Sequence, residues 1–112
     1  MDTITSQALT LLIDEQQQVS ALLDRPPQPW AGYVFAHGAG AGMTHAFMAG
    51  FARGLADRGV AVLRYQFPFM ERGSKRPDSP ALAHAAVRAA VAEATRQLPG
   101  LPLFAGGKSF GG

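Results

Sequence analysis

The chain has 112 residues, 47% of them hydrophobic, which fits one soluble globular domain with a modest core and excludes disordered and collagen-like readings. It contains no cysteine, so disulfide frameworks, thiolate metal sites and a cysteine nucleophile are excluded, and any nucleophile must be an oxygen or an amine. Ten basic against eight acidic side chains give a net charge of +2, too small for the electrostatic footprint of a nucleic-acid binder. No stretch has the length of an apolar membrane helix, and the first basic residue is Arg25, which argues against a secretory signal; cytoplasmic localisation is the default expectation.

Ala8 to Ile13 and Gln18 to Leu23 are apolar runs divided by the polar Asp14-Glu15-Gln16-Gln17, the pattern of two antiparallel strands at a sheet edge, paired as a hairpin. Pro26, Pro27 and Pro29 then withhold three backbone donors and force an extended linker. Gly32 to His37 is rich in strand formers and reads as a fully buried strand. A glycine-rich turn, Gly38-Ala39-Gly40-Ala41-Gly42, leads into a helix from about His45 to Arg58, with Thr44 as N-cap and Gly59 at its exit. Phe47, Phe51 and Leu55 recur at four-residue spacing with Met48 and Ala52 beside them, and this face is expected to cover a sheet.

Val60 to Tyr65 is the next buried strand, followed by a loop rich in Pro, Arg and Lys from Phe67 to Asp78. Ser79 and Pro80 open a second helix as N-cap and first-turn proline, and its alanine-rich body, Ala81 to Leu98, stops before Pro99-Gly100. Pro102 to Gly106 makes a third buried strand. Strands alternating with helices in this order predict an α/β fold, a mostly parallel sheet with helices on both faces and right-handed crossovers.

That last strand runs straight into Gly107-Lys108-Ser109-Phe110-Gly111. The pattern G-x-S-x-G is the nucleophile elbow, in which a serine stands on a tight turn after a strand and small neighbours let the turn close. Gly106, Gly107, Gly111 and Gly112 remove Cβ atoms where backbone segments crowd. The second element is His37-Gly38-Ala39-Gly40, on the turn after an earlier strand, where an acyl-transfer enzyme places a backbone donor for the oxyanion. Ala39, with Gly40 next, and Phe110, the residue after the serine, are the candidate donors for charge developing on a carbonyl oxygen under attack.

With His37 to Met43, Arg64-Tyr65-Gln66-Phe67-Pro68-Phe69-Met70-Glu71 and Gly106 to Gly112, the chain resembles the α/β-hydrolase superfamily, within it a poorly characterised branch related to the dienelactone-hydrolase group. The resemblance spans residues 1–112 as the N-terminal portion of a single such domain, truncated after the strand leading to the elbow. It implies Ser109 as nucleophile and Ala39 and Phe110 as the oxyanion hole, acting on an ester, thioester or related acyl bond of a small molecule, with no metal or organic cofactor. It also implies that the triad acid and histidine follow the serine in sequence. Only Phe110, Gly111 and Gly112 do so here, and a serine hydroxyl without a base is a weak nucleophile, so the chain by itself is expected to be inactive. His37, His45 and His84 precede Ser109 and are read as structural or capping residues.

Two other classes compete with the hydrolase reading. One is a non-catalytic remnant or binding module; the other is a phosphate- or nucleotide-binding α/β domain, because glycine loops also cradle phosphates. The dinucleotide fingerprint fails in both registers, which would need glycine at Met43 or His45, and the P-loop pattern fails at Pro102. Arg72, Lys75 and Arg76 are read either as solvated loop charges or as a contact for an anionic substrate, and Phe67, Phe69 and Met70 either as an acyl pocket or as packing under the loop. A final strand left with an unpaired apolar edge is expected to promote instability or self-association.

Overall fold

The computed structural model of the chain describes residues 3–37, 46–73 and 78–107. Thr5–Leu12 (β1) and Gln18–Arg25 (β2) form the expected hairpin, in register from Thr5 opposite Arg25 to Leu12 opposite Gln18. Asp14 shapes the connection, its Oδ1 accepting hydrogen bonds from the backbone N–H groups of Gln16 and Gln17 at 2.8 and 2.9 Å. Ala31–Ala36 (β3), Ala46–Asp57 (α1), Val60–Tyr65 (β4), Pro68–Glu71 (α2), Pro80–Gln97 (α3) and Leu103–Gly107 (β5) complete the order of elements.

The strands lie in one sheet in the order β1-β2-β4-β3-β5. β2 runs antiparallel to β4, while β3 is parallel to both β4 and β5, so the parallel character predicted from the βαβ alternation belongs to the β4-β3-β5 half and the hairpin makes the sheet mixed. From β3 the chain steps one way to β4 through α1, then back past β3 to β5 through α3. Crossovers of the same hand that step in opposite directions place their helices on opposite faces. Strand alternation agrees: Val34, Ala61, Leu63 and Tyr65 pack with α3, whereas Phe35 and Val62 pack with Met48 and Ala52 of α1.

α3 starts as the sequence predicts, with the Ser79 hydroxyl accepting from the Leu82 N–H at 3.3 Å and proline in the first turn. Its buried row is Ala86, Ala90 and Ala94, side chains short enough to let the helix backbone come close to the sheet. α1 ends at Gly59, whose φ of +87° suits glycine, and Trp30 covers the exit by donating its indole N–H to the Arg58 carbonyl at 2.9 Å.

Three expectations are corrected. The last strand, expected to be buried over Pro102 to Gly106, is β5 at the edge of the sheet with Phe104 and Ala105 exposed. The row of α1 that meets the sheet is Met48, Ala52 and Ala56, one position on from Phe47 and Phe51, which remain 45% and 42% exposed. α1 lies over β4 and β2, so the phenyl row turns towards β3 and β5, where Phe51 touches Phe35 at 4.9 Å between ring centroids. The stretch from Phe67 to Asp78 also contains a helical turn, α2, started by Pro68 at its first position. Among the described residues no helix is long and apolar enough to cross a membrane.

Candidate active site

The three parallel strands end level with one another, Ala36 of β3 lying opposite Tyr65 of β4 on one side and opposite Gly107 of β5 on the other. Adjacent strands are roughly 4.8 Å apart, so the exits of β3, β4 and β5 stand side by side on one edge of the sheet. β3 leads to His37, which Gly38 to Gly42 follow in sequence, and β5 ends at Gly107, which Lys108, Ser109 and Phe110 follow in sequence. Strand order reverses at β3, and open α/β sheets bind ligands outside the carboxyl ends of their strands at such a reversal. Ala39, Ser109 and Phe110 themselves lie outside the described residues, as do Gly40 and His45.

β5 shows why its end is glycine. Gly106 pairs with Phe35, and a Cβ there would lie 2.3 Å from the Tyr33 hydroxyl, so the phenol crosses space that any other residue would fill.

His37 is fully buried, and its Nε2 accepts a hydrogen bond from the Phe67 backbone N–H at 2.9 Å. Its ring meets Phe67 and Phe69 edge-on, with centroids 4.9 and 5.7 Å apart. This is the structural role expected of it, since a nitrogen engaged by a backbone donor does not take a proton from a serine. His84 is exposed early in α3.

The turn after β4 is fastened from three sides. Beyond the bond to His37, the Phe69 N–H donates to Asp78 Oδ2 at 3.1 Å, and Arg72 donates to Asp78 Oδ1 at 3.3 Å. Glu71 reaches β2, its carboxylate accepting from the Ser20 N–H at 3.1 Å and from the Ser20 hydroxyl at 3.0 Å. Phe67 and Phe69 are core residues, which settles their alternative readings as packing under the loop, and Met70 is half-buried beside them. The sequence reading missed Ser20, Glu71 and Asp78 as the anchors of this turn; the available signal was the proline at the first helical position. Arg72 is engaged by Asp78, whereas Lys75 and Arg76 lie outside the described residues.

On the α1 face, Arg64 and Asp24 form a buried two-pronged ion pair at 2.9 and 3.2 Å, and the Ser6 hydroxyl donates to Asp24 Oδ1 at 2.8 Å. Beside it on β4, burial pushes the Tyr65 phenol above its ordinary range. Among the described residues no group of three His, Asp or Glu side chains is placed to hold a metal ion. A cavity of about 320 Å³ opens on the α1 face between Trp30, Tyr33, Phe51, Leu55 and Phe104; it runs towards the amino ends of β3 and β4, away from their carboxyl ends.

A family model described as an alpha/beta hydrolase domain matches residues 30–112. The fold is similar to that of dienelactone hydrolase from Anabaena variabilis, with a TM-score of 0.82 at 20% identity over 97% of this chain and 54% of that one. An alpha-beta serine hydrolase homologue from Coxiella burnetii superposes with a TM-score of 0.79 at 17% identity, again over 97% and 54% of the two chains. An a/b serine hydrolase without lid from Xanthomonas campestris gives a TM-score of 0.75 at 23% identity over 95% and 51%. The chain thus spans about half the length of the solved structures it resembles. Among curated protein sequences none matches it.

Proposed function

The chain belongs to the alpha/beta hydrolase domain family, and on that premise we propose that it is the nucleophile-bearing portion of a serine hydrolase acting on an ester, thioester or related acyl bond. Ser109 attacks the carbonyl carbon, the backbone N–H groups of Ala39 and Phe110 hold the oxyanion, and an acyl-serine forms and is then hydrolysed. A base must accept the serine proton and return it to the leaving group, and an acid must orient that base. The observation that carries this reading is the level pairing of Ala36 with Gly107, which starts the glycine loop and the serine turn from neighbouring strand ends. The substrate is a small acyl compound, and the open edge of β5 is where an isolated chain self-associates.

The test is labelling of the natively expressed gene product with a fluorophosphonate probe, with Ser109→Ala as control and the intact mass recorded. Label confined to Ser109 is the expected result. A folded product that takes no label overturns the hydrolase reading and leaves a non-catalytic binding module of the same family.

A further inference from the structure

β1 is an outermost strand of the sheet, and the hairpin fixes the direction of its backbone groups. The Ile13 N–H donates to the Gln17 carbonyl at 2.9 Å, so these residues form a hydrogen-bonded pair one step beyond Leu12 and Gln18. Antiparallel ladders alternate bonded with non-bonded pairs, which makes Leu11, Leu9, Gln7 and Thr5 the residues bonded to β2. Ser6, Ala8, Thr10 and Leu12 therefore direct their N–H and C=O groups to the open side. Ser20, opposite Thr10, agrees: its N–H goes to the Glu71 carboxylate and its C=O accepts from the Gln66 N–H, so neither is spent on Thr10. Among the described residues no strand pairs with that side of β1.

Natural sheet edges are guarded by charge, proline, a bulge or brevity. β1 has none of these: its 8 residues pair with β2 without a break, and from Thr3 to Ile13 there is no charged residue and no proline. We propose that β1 is an interaction surface for a second copy of this chain, the two β1 strands meeting antiparallel about a two-fold axis at Leu9. In that register Ala8 lies opposite Thr10, and Ser6 opposite Leu12, of the other copy, which engages every outward group. Either neighbouring register of the same phase leaves Ser6 or Leu12 without a partner in β1. The pairing supplies about eight backbone hydrogen bonds, close to the total of about ten in a stable interface. A two-fold axis brings the strand against itself, so a charge on it would face a like charge. This strand carries none, which favours a second copy over a charged partner. On the side of α3 a cavity of about 310 Å³ borders β1, lined by Leu11, Ala89, Ala92, Glu93 and Arg96. Gln7 of the second copy, opposite Leu11 and on the same face, brings an amide to the paired Glu93 and Arg96. Leu12, 71% exposed in one copy, gains a cover opposite Ser6.

The experiment follows the mass of the natively expressed product by light scattering over a dilution series, with amide hydrogen exchange read residue by residue. A species of twice the single-copy mass is expected. The amides of Ser6, Ala8, Thr10 and Leu12 are expected to be protected at high concentration and released on dilution, while those of Gln7, Leu9 and Leu11 stay protected throughout. Ala8→Lys with Thr10→Lys puts lysine opposite lysine and is expected to raise the dissociation constant by about tenfold or more. Ala8→Glu with Thr10→Lys puts glutamate opposite lysine and is expected to hold it at or below the unsubstituted value. Both side chains are exposed, so neither change empties the core. A single-copy mass at about 100 μM, equal dissociation constants for the two double variants, or exchange without the alternation overturns the proposal. Protection of the outward amides in a monomer means that another segment of the same product covers β1, and overturns it as well. Association that persists with lysine at both positions and is lost in Phe104→Ser belongs to β5 and counts against pairing at β1. If a double variant fails to fold, the concentration dependence of the outward amides decides it.

Discussion

The two faces of the sheet are built by different means. Under α3 the contact is apolar and continuous: Leu11, Val19, Leu23, Val34, Leu63 and Phe69 meet a helix whose buried row is alanine. The α1 face has a smaller apolar cluster around Phe35, Met48, Ala52 and Val62, a buried ion pair beside it, and a set of aromatics exposed among the described residues, with Phe104 56% and Trp30 60% exposed. The difference follows the strand order. α3 crosses from β4 to β5 over β3 and contacts all three, whereas α1 connects neighbouring strands and contacts β4 and β2, so among the described residues Phe104 of β5 is left exposed on that side. Hydrophobic burial thus stabilises mainly one face, and the other also holds a buried charge pair.

Substitutions that separate these contributions are ranked by expected effect. Phe69→Ala empties a fully buried position under α3 and is expected to cost about 4 kcal/mol, a large share of an ordinary domain's stability; a denaturant melt showing a loss below about 2 kcal/mol would break the claim that this face dominates. On the α1 face, Arg64→Met strands the Asp24 carboxylate and is expected to cost about 3 kcal/mol, while Arg64→Met with Asp24→Leu recovers most of it. A double variant as unstable as the single one would mean that the pair is a net stabiliser of that face.

Tyr65 gives a pH test of burial on the α3 side. Unfolded, its phenol ionises near pH 10; folded, it is held neutral well above that. The stability it confers by remaining neutral is intact below about pH 10 and is lost as pH rises towards the folded value, at about 1.4 kcal/mol per pH unit. Tyr65→Phe is expected to flatten the alkaline limb of the stability curve, and an unchanged limb would show that the phenol is not shielded. The smallest effect on stability belongs to the open side. Phe104→Ser is expected to change the denaturation midpoint by less than about 1 kcal/mol and to shift an isolated chain from larger associated species to smaller ones in light scattering; a large stability loss would mean that this aromatic is already covered.

The interior anchors mark where sequence reading ran out. The Phe67–Arg72 turn is held by Ser20, His37 and Asp78, and nothing in the composition of a Pro- and Arg-rich stretch announces partners on β2 and at the end of β3. The four-residue spacing of Phe47, Phe51 and Leu55 correctly indicates a helix, yet periodicity does not fix rotation about the helix axis when a neighbouring row of Met48, Ala52 and Ala56 offers a flatter surface. The candidate active-site residues rest on G-x-S-x-G and the His-Gly sequence, and Ala39, Ser109 and Phe110 lie outside the described residues, while the structure brings together the strands that precede them.

By itself the sequence determined the order of strands and helices, most of their limits, the caps of α3 and the two motifs, because each of these is decided by neighbours along the chain: apolar spacing, a serine before a proline, a glycine at a turn. Only the tertiary structure decided that β3 lies between β4 and β5 with Ala36 level with Gly107, that α1 presents its small residues rather than its phenyl rings to the sheet, and that Arg64 finds Asp24. Those outcomes depend on which distant surfaces fit and bury one another, a competition settled only when the whole sheet is assembled.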